Sequence, residues 1–185
     1  MTGQISDSFL HNGKEFLIVG INNGKLFDPL DFNLETSAAS TACWRGFQAF
    51  YAIHEGQLVL QHLYINLPES KKINGMEPSD GVDFFKFSYP DINLKMKLTG
   101  TILIAQDFIQ ELYIHMGFQR PICFETVLEL QFKNGKLVNE KDLSKEMAKR
   151  RMSDPNRNGQ PTDPSDPDEV RDWIGKSFSL EYETE

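Results

Sequence analysis

From Ile92 onward, Leu94, Met96, Leu98, Ile102 and Ile104 fall on one side of an extended chain, and Asn93, Lys95, Lys97, Thr99 and Thr101 on the other. Successive side chains of a strand point to opposite faces, so this period of two specifies a strand with one buried face. A helix would scatter the same residues around its circumference. A strand of about 13 residues is longer than usual, and Gly100 interrupts the buried side. Gly100 is therefore expected to mark a bulge or a sharp bend. The design repeats over 122–133, with Ile122, Phe124, Thr126, Leu128, Leu130 and Phe132 against Cys123, Glu125, Glu129, Gln131 and Lys133. A turn at Asn134-Gly135 then sets Leu137 opposite Phe132.

Asn-Gly pairs recur at 12–13, 23–24, 74–75 and 134–135. Both residues tolerate the positive φ of a type I′ turn, so the pairs predict hairpins wherever apolar runs flank them. The first two bracket Glu15–Ile21, a continuous apolar run that reads as a strand buried on both faces. The pair at 74–75 sits in polar sequence and reads as a plain loop. A further hairpin is predicted over 47–67 about Glu55-Gly56. Its register places Ile53 opposite Leu58, Tyr51 opposite Leu60, Ala49 opposite His62 and Phe47 opposite Tyr64. His62 then lies on the apolar face, with Gln48, His54, Gln57 and Gln61 on the other.

Residues 107–116 fit both a helical face and an alternating strand, and the neighbouring strands favour the strand. After Val138 the pattern changes. Glu140–Met152 reads as a charged helix with Leu143 and Met147 as its only apolar pair, able to dock weakly. Ser153–Pro167 reads as a linker. A short helix follows, capped by Asp166 with Pro167 and Glu169 in its first turn and ended by Gly175. The expected division is a single β-rich domain over 1–140, a charged helix and Pro/Asp-rich linker over 141–167, and a short helix with an acidic tail over 168–185. The expected fold is mainly β: an antiparallel meander forming a barrel-like or two-layer structure, with short peripheral C-terminal helices.

The formal charge of −8 opposes binding to a nucleic-acid backbone, which recruits concentrated Lys and Arg. Residues 153–185 hold nine acids against three bases, so the tail carries most of that charge. No run approaches the length of a membrane helix, and the polar MTGQISDSF start has no leader pattern. Two cysteines, Cys43 and Cys123, in a chain of this length are expected as free thiols in a cytoplasm. Oligomeric state leaves no mark in the sequence.

No cofactor motif is present. Gly20-Ile-Asn-Asn-Gly24-Lys25-Leu26 has one residue too few between its glycines for a phosphate loop, and Leu26 stands where Ser or Thr would hold magnesium, so it reads as a hairpin turn. His11, His54, His62 and His115 lack zinc spacing. Asp28 and Asp31 read as turn-shaping residues rather than a catalytic pair. Cys43 would become a nucleophile if His62 or His115 approached it, with Arg45 supplying a positive field. Buried, it is an ordinary core thiol. Trp44 and Arg45 read first as anchors of the entry to the sheet, with Arg45 stacked on a ring or paired to a carboxylate, and second as an exposed binding hot spot. Trp173 in the acidic tail reads as a partner-binding residue.

The segment Thr41-Ala-Cys-Trp-Arg-Gly-Phe47 with its hairpin resembles the signature of a family of small uncharacterised bacterial proteins, in which a TACWRGY-type segment precedes a β-hairpin. Residues 99–105, 113–119 and 129–137 are similar to the rest of that pattern. Phe47 stands where the family has Tyr and lacks its hydroxyl. The resemblance covers 14–138 and implies a fold unit and a bacterial source, not an activity. Three functions stay open: a non-enzymatic cytoplasmic protein-binding module, with an immunity- or antitoxin-like role as one form; a carrier of a small apolar ligand in a β-barrel cavity; and a thiol-dependent enzyme built on Cys43.

Overall fold

Ten strands form one mixed sheet that curls until its ends meet. They are β1 (Ser8–His11), β2 (Lys14–Asn22), β3 (Phe47–His54), β4 (Gln57–Ile65), β5 (Ser79–Asp80), β6 (Phe87–Tyr89), β7 (Leu94–Lys95), β8 (Gly100–Phe108), β9 (Phe124–Lys133) and β10 (Lys136–Asp142). Two helices follow, α1 (Ser144–Ser153) and α2 (Pro167–Ser177). This computed structural model describes residues 2–153 and 161–182. Residues 154–160 of the expected linker and the end of the acidic tail lie outside the described residues.

The ring runs β10–β9–β8–β2–β1–β3–β4 and back to β10, with β6 and β5 extending from β4. The fold is thus mainly β, largely antiparallel and barrel-like, as the alternation predicts. Its strand order departs from a simple meander in one respect. The β1–β2 hairpin is inserted between β8 and β3, and β1 runs parallel to β3.

Turn chemistry sets three hairpins. Asn12-Gly13 joins β1 to β2, Glu55-Gly56 joins β3 to β4, and Asn134-Gly135 joins β9 to β10, each pair at positive φ. Leu137 lies opposite Phe132, as the spacing requires. Asn74-Gly75 sits in a plain turn closed by Ile73 and Met76. Asn23-Gly24 differs from its hairpin reading. It releases β2 into a long connection to β3, and the end of β2 beside it pairs with β8 on one side and meets the C-terminal residues Leu180–Tyr182 on the other.

The interior is filled. Phe9, Ile18, Leu58, Leu60, Leu63, Ile102, Ile104 and Leu130 are wholly inaccessible to water, so no void of that size borders them. A second apolar layer lies outside β2, β8 and β9. There Val19, Leu103, Phe124 and Val127 are covered by Ile114 and Cys123 and by Leu143 and Met147 from the α1 end. This covers β2 on both faces, as its continuous apolar run predicts. The expected weak docking of α1 is reinforced by Arg151, whose guanidinium donates to the Ile122 and Phe124 carbonyls at 3.1 and 2.7 Å. The helix starts at Ser144 rather than Glu140, because β10 keeps pairing with β9 through Asp142↔Leu128.

Three details differ from the pattern-based expectations. The 47–67 register holds at Ile53↔Leu58 and Tyr51↔Leu60, then shifts by one at a bulge. Gln61 is the extra residue there, so Ala49 faces Leu63, Phe47 faces Ile65, and His62 turns to the outer face opposite Phe50. Beyond Phe108, the 107–116 segment is neither strand nor α-helix but a loop with a 3-10 turn at Gln110–Leu112. The Gln119 amide supplies what a neighbouring strand would, donating to the Ile114 carbonyl and accepting from its N–H at 2.8 and 2.9 Å. Finally, α2 passes through Gly175 and ends at Ser177.

Gly100 divides the long alternating segment as expected. Met96 N–H, on the near side, bonds to Leu58 of β4, while Gly100 begins β8 between β2 and β9. Its φ is 154°, and a Cβ there would lie 2.2 Å from the Asn23 carbonyl oxygen and 2.4 Å from that of Asn22. Both obstacles are backbone. Gly100→Ala is therefore expected to cost about 1–3 kcal/mol, the scale of a strained backbone conformation, measured by urea denaturation. An unchanged midpoint would show that the bend is not confined to that residue.

Candidate functional site

The segment 40–46 packs against the N-terminal residues rather than opening into a pocket. Thr2 Oγ1 and Gln4 Nε2 both donate to the Thr41 carbonyl, Ile5 N–H bonds to Ala42, and Trp44 N–H donates to Gln4 Oε1. This lays residues 2–7 along the Cys-Trp-Arg segment and orients each of its three side chains differently.

Arg45 points inward. Its Nη1 and Nη2 donate to the two carboxylate oxygens of Asp7 at 2.9 and 2.6 Å, a bidentate pair in which the Asp7 side chain is 5% exposed. Asp7 Oδ1 also accepts the Ala49 N–H at 2.7 Å. The guanidinium lies over the Phe47 ring at 4.5 Å from its centroid. Burial alone would pull the Arg45 ionisation down, but the adjoining Asp7 charge and hydrogen bonds outweigh it and hold it above the ordinary value. Arg45 Nε is buried without an acceptor among the described residues.

Cys43 is buried and donates its Sγ–H to the Phe47 carbonyl at 3.3 Å. Burial pushes the thiol up, against the opposing Arg45 charge. Thiolate is thus disfavoured where a nucleophile would need it. Trp44 points outward, about half exposed, and stacks face to face on Phe178 at 5.0 Å between ring centroids.

The other candidates sit elsewhere. His62 lies on the outer face of the β3–β4 hairpin. Its ring is 4.4 Å from that of Tyr64 and 5.5 Å from that of Phe50, and it shares a hydrogen bond with Ser88 Oγ at 3.2 Å. Burial lowers its pKa, partly countered by the Asp91 charge. His115 is exposed on the loop after β8, with its ring edge-on to Tyr113. Neither histidine is among the hydrogen-bonding or stacking partners of Cys43 or Arg45 in the described residues. Trp173 is half-buried on α2, with its Nε1 enclosed and without an acceptor among the described residues. No group of His, Cys, Asp and Glu is arranged to hold a metal among the described residues. No described helix is long and apolar enough to cross a membrane.

Two features go beyond the sequence candidates. One is a run of rings on the outside of β3–β4: Phe50, His62, Tyr64, Phe85 and Phe84, each within stacking range of the next. Phe84 and Val82 are more than 40% exposed. Without the bulge at Gln61, His62 and Tyr64 would be assigned inward, which hides this cluster from alternation. The other is a cleft of ≈ 1040 Å³ between β2, the 118–121 loop and the C-terminal segment, with Arg120 and Leu180 on its walls. Asp7 was also missed, since one Asp in the polar N-terminus carries no signal beyond the need of Arg45 for a carboxylate.

No protein-family model matches the chain, and no curated protein and no solved structure matches it.

Removing one partner of the Asp7–Arg45 pair leaves the other charge inside. Asp7→Asn is expected to cost about 3 kcal/mol, the lower end of the buried-pair range because Arg45 keeps some solvent contact, read from chemical denaturation. A loss below about 1 kcal/mol would place the pair with surface ion pairs. Cys43 in the native protein is expected to resist iodoacetamide near pH 7 and to react only on unfolding. Stoichiometric native labelling would show an accessible thiolate instead.

Proposed function

We propose that the chain is a non-enzymatic bacterial protein that acts in the cytoplasm as a protein-binding module through the outer aromatic face of β3–β4. The observation that carries this reading is the partly exposed ring cluster ending in Phe84. Loops and α1 cover the equivalent outer layer on β2, β8 and β9, whereas Phe84 and Val82 face solvent. A surface of half-buried Phe50, His62 and Tyr64 that runs over the buried Phe85 to the exposed Phe84 resembles the aromatic centre of a protein interface. His62, held toward its neutral form by burial, adds an uncharged ring to that surface at neutral pH.

Exposed Asp80, Asp83 and Asp91 flank the cluster in sequence and are offset by Lys86 alone in that stretch. An acidic rim of this sort favours a basic partner, as an immunity- or antitoxin-like role requires. A reducing compartment agrees with two buried, unpaired cysteines. The carrier reading has less support, because the barrel interior is taken up by side chains with no water-sized void beside them. The thiol-enzyme reading has no base beside Cys43 among the described residues.

Phe84→Asp tests the assignment at an exposed position, where the fold should be insensitive to it. Wild-type protein is expected to retain a partner from a native lysate of its source across moderate salt. The variant should lose that partner while keeping its thermal midpoint. A clean monomer with nothing retained at any salt concentration, or equal retention by the variant, counts against the reading.

A further inference from the structure

β1 pairs with β2 only over Lys14–Leu17, which leaves the rest of β2 without a strand on the side away from β8. Ile18 N–H there bonds to the Asp7 carbonyl. Farther along, the chain's own C-terminal segment fills the edge. Ile21 N–H donates to the Leu180 carbonyl at 2.7 Å, Tyr182 N–H donates to the Ile21 carbonyl at 3.3 Å, and Ile21 bridges Glu181 in parallel. This is strand addition at a sheet edge, made within one molecule.

Every second side chain of the segment, starting from Phe178 at the end of α2, docks on the barrel. Phe178 stacks on Trp44, Leu180 packs against the barrel core, and Tyr182 packs against the outer apolar layer. Tyr182 Oη shares a hydrogen bond with Thr101 Oγ1 at 2.6 Å and donates to Glu129 at 3.1 Å. Gly20 leaves room for the ring, since a Cβ there would stand 2.8 Å from Tyr182 Cδ1. The preceding α2 adds little, as Ser177 is its one buried residue. Beside the segment the cleft stays open, and Arg120 on its wall has no carboxylate partner among the described residues.

We propose that the edge of β2 over residues 19–22, with Trp44 at one end, is a recognition groove for an extended peptide of aromatic–x–aliphatic–x–aromatic pattern, and that residues 178–182 occupy it as an intramolecular stand-in. The contacts favour this over a purely structural clasp. Few backbone bonds hold the segment, whereas whole ladders hold the barrel, and segments so held open at free energies below that of global unfolding. Arg120 further favours a peptide with a carboxylate beside the central aliphatic residue, where the chain's own Glu181 lies along the same cleft. The groove shares no residue with the Phe84 face, so the two can fail separately.

The test uses the full chain and a fluorescent peptide of sequence SFSLEY, which copies residues 177–182. In a Phe178→Ala/Tyr182→Ala variant the built-in competitor is weakened. This variant is expected to bind the peptide at least tenfold more tightly than wild type, and adding Trp44→Ala should remove most of that gain. Hydrogen exchange on the wild type gives a second readout that needs no variant. The Ile21 and Tyr182 amides, which bond between β2 and the segment, should exchange at least tenfold faster than those of Ile102 and Ile104. Equal peptide binding by wild type and variant, no binding by a variant that still unfolds cooperatively, or uniform exchange rates would overturn the proposal. A tail-exchanged dimer seen by sedimentation would also overturn it, by assigning the groove to a second copy.

Discussion

The fold turns on the carboxylate of Asp7. One oxygen pair holds the Arg45 fork and the Ala49 N–H, just ahead of the β1–β3 pairing, while the backbone carbonyl of the same residue takes the Ile18 N–H of β2. The parallel contact between β1 and β3 is short, and parallel pairs lack a tight turn to fix their register. Asp7 does that work through charge. A buried ion pair returns little net stability after desolvation, so its role here is to specify one arrangement among several apolar ones.

The Cys-Trp-Arg segment follows from this. Arg45 is drawn inward to Asp7, which leaves Cys43 enclosed beneath the start of β3 and sends Trp44 outward to Phe178. Three neighbouring residues therefore play three roles: an ion-pair partner, a core thiol and a docking ring. The chemistry suggested by their proximity in sequence dissolves once their directions are known. The surfaces proposed for recognition lie away from this segment's chemistry, on the aromatic face of β3–β4 and at the edge of β2.

The hairpins were legible because turn residues and alternation depend on local sequence. Phe132 and Leu137 find each other through Asn134-Gly135 alone. The bulge was not legible, because Gln61 reads like any outward polar residue and only the misfit beyond Tyr51 distinguishes it. Residues 109–116 were misread for a related reason. Their backbone is satisfied partly by a side-chain amide, Gln119, and no periodicity records that. The environment of Arg45 was half legible: a carboxylate or ring was expected, and both are present, but nothing local singled out Asp7 to supply the first.

Closure of the ring rests on a small seam. Lys136 pairs with Gln57, Leu58 N–H bonds to Gly135, Leu137 N–H bonds to Gly56, and Gln57 Nε2 reaches Met96. The two turns that meet there come from opposite halves of the chain, so the seam forms only after both hairpins exist and a long intervening loop has been gathered. Until then the Gln57 end of β4 and the Lys136 end of β10 each present unpaired backbone beside an incomplete apolar interior. That makes the half-closed sheet, rather than the unfolded chain, the species most prone to aggregate during synthesis. The Lys133 and Lys136 charges beside the turn then guard the last edge to be covered.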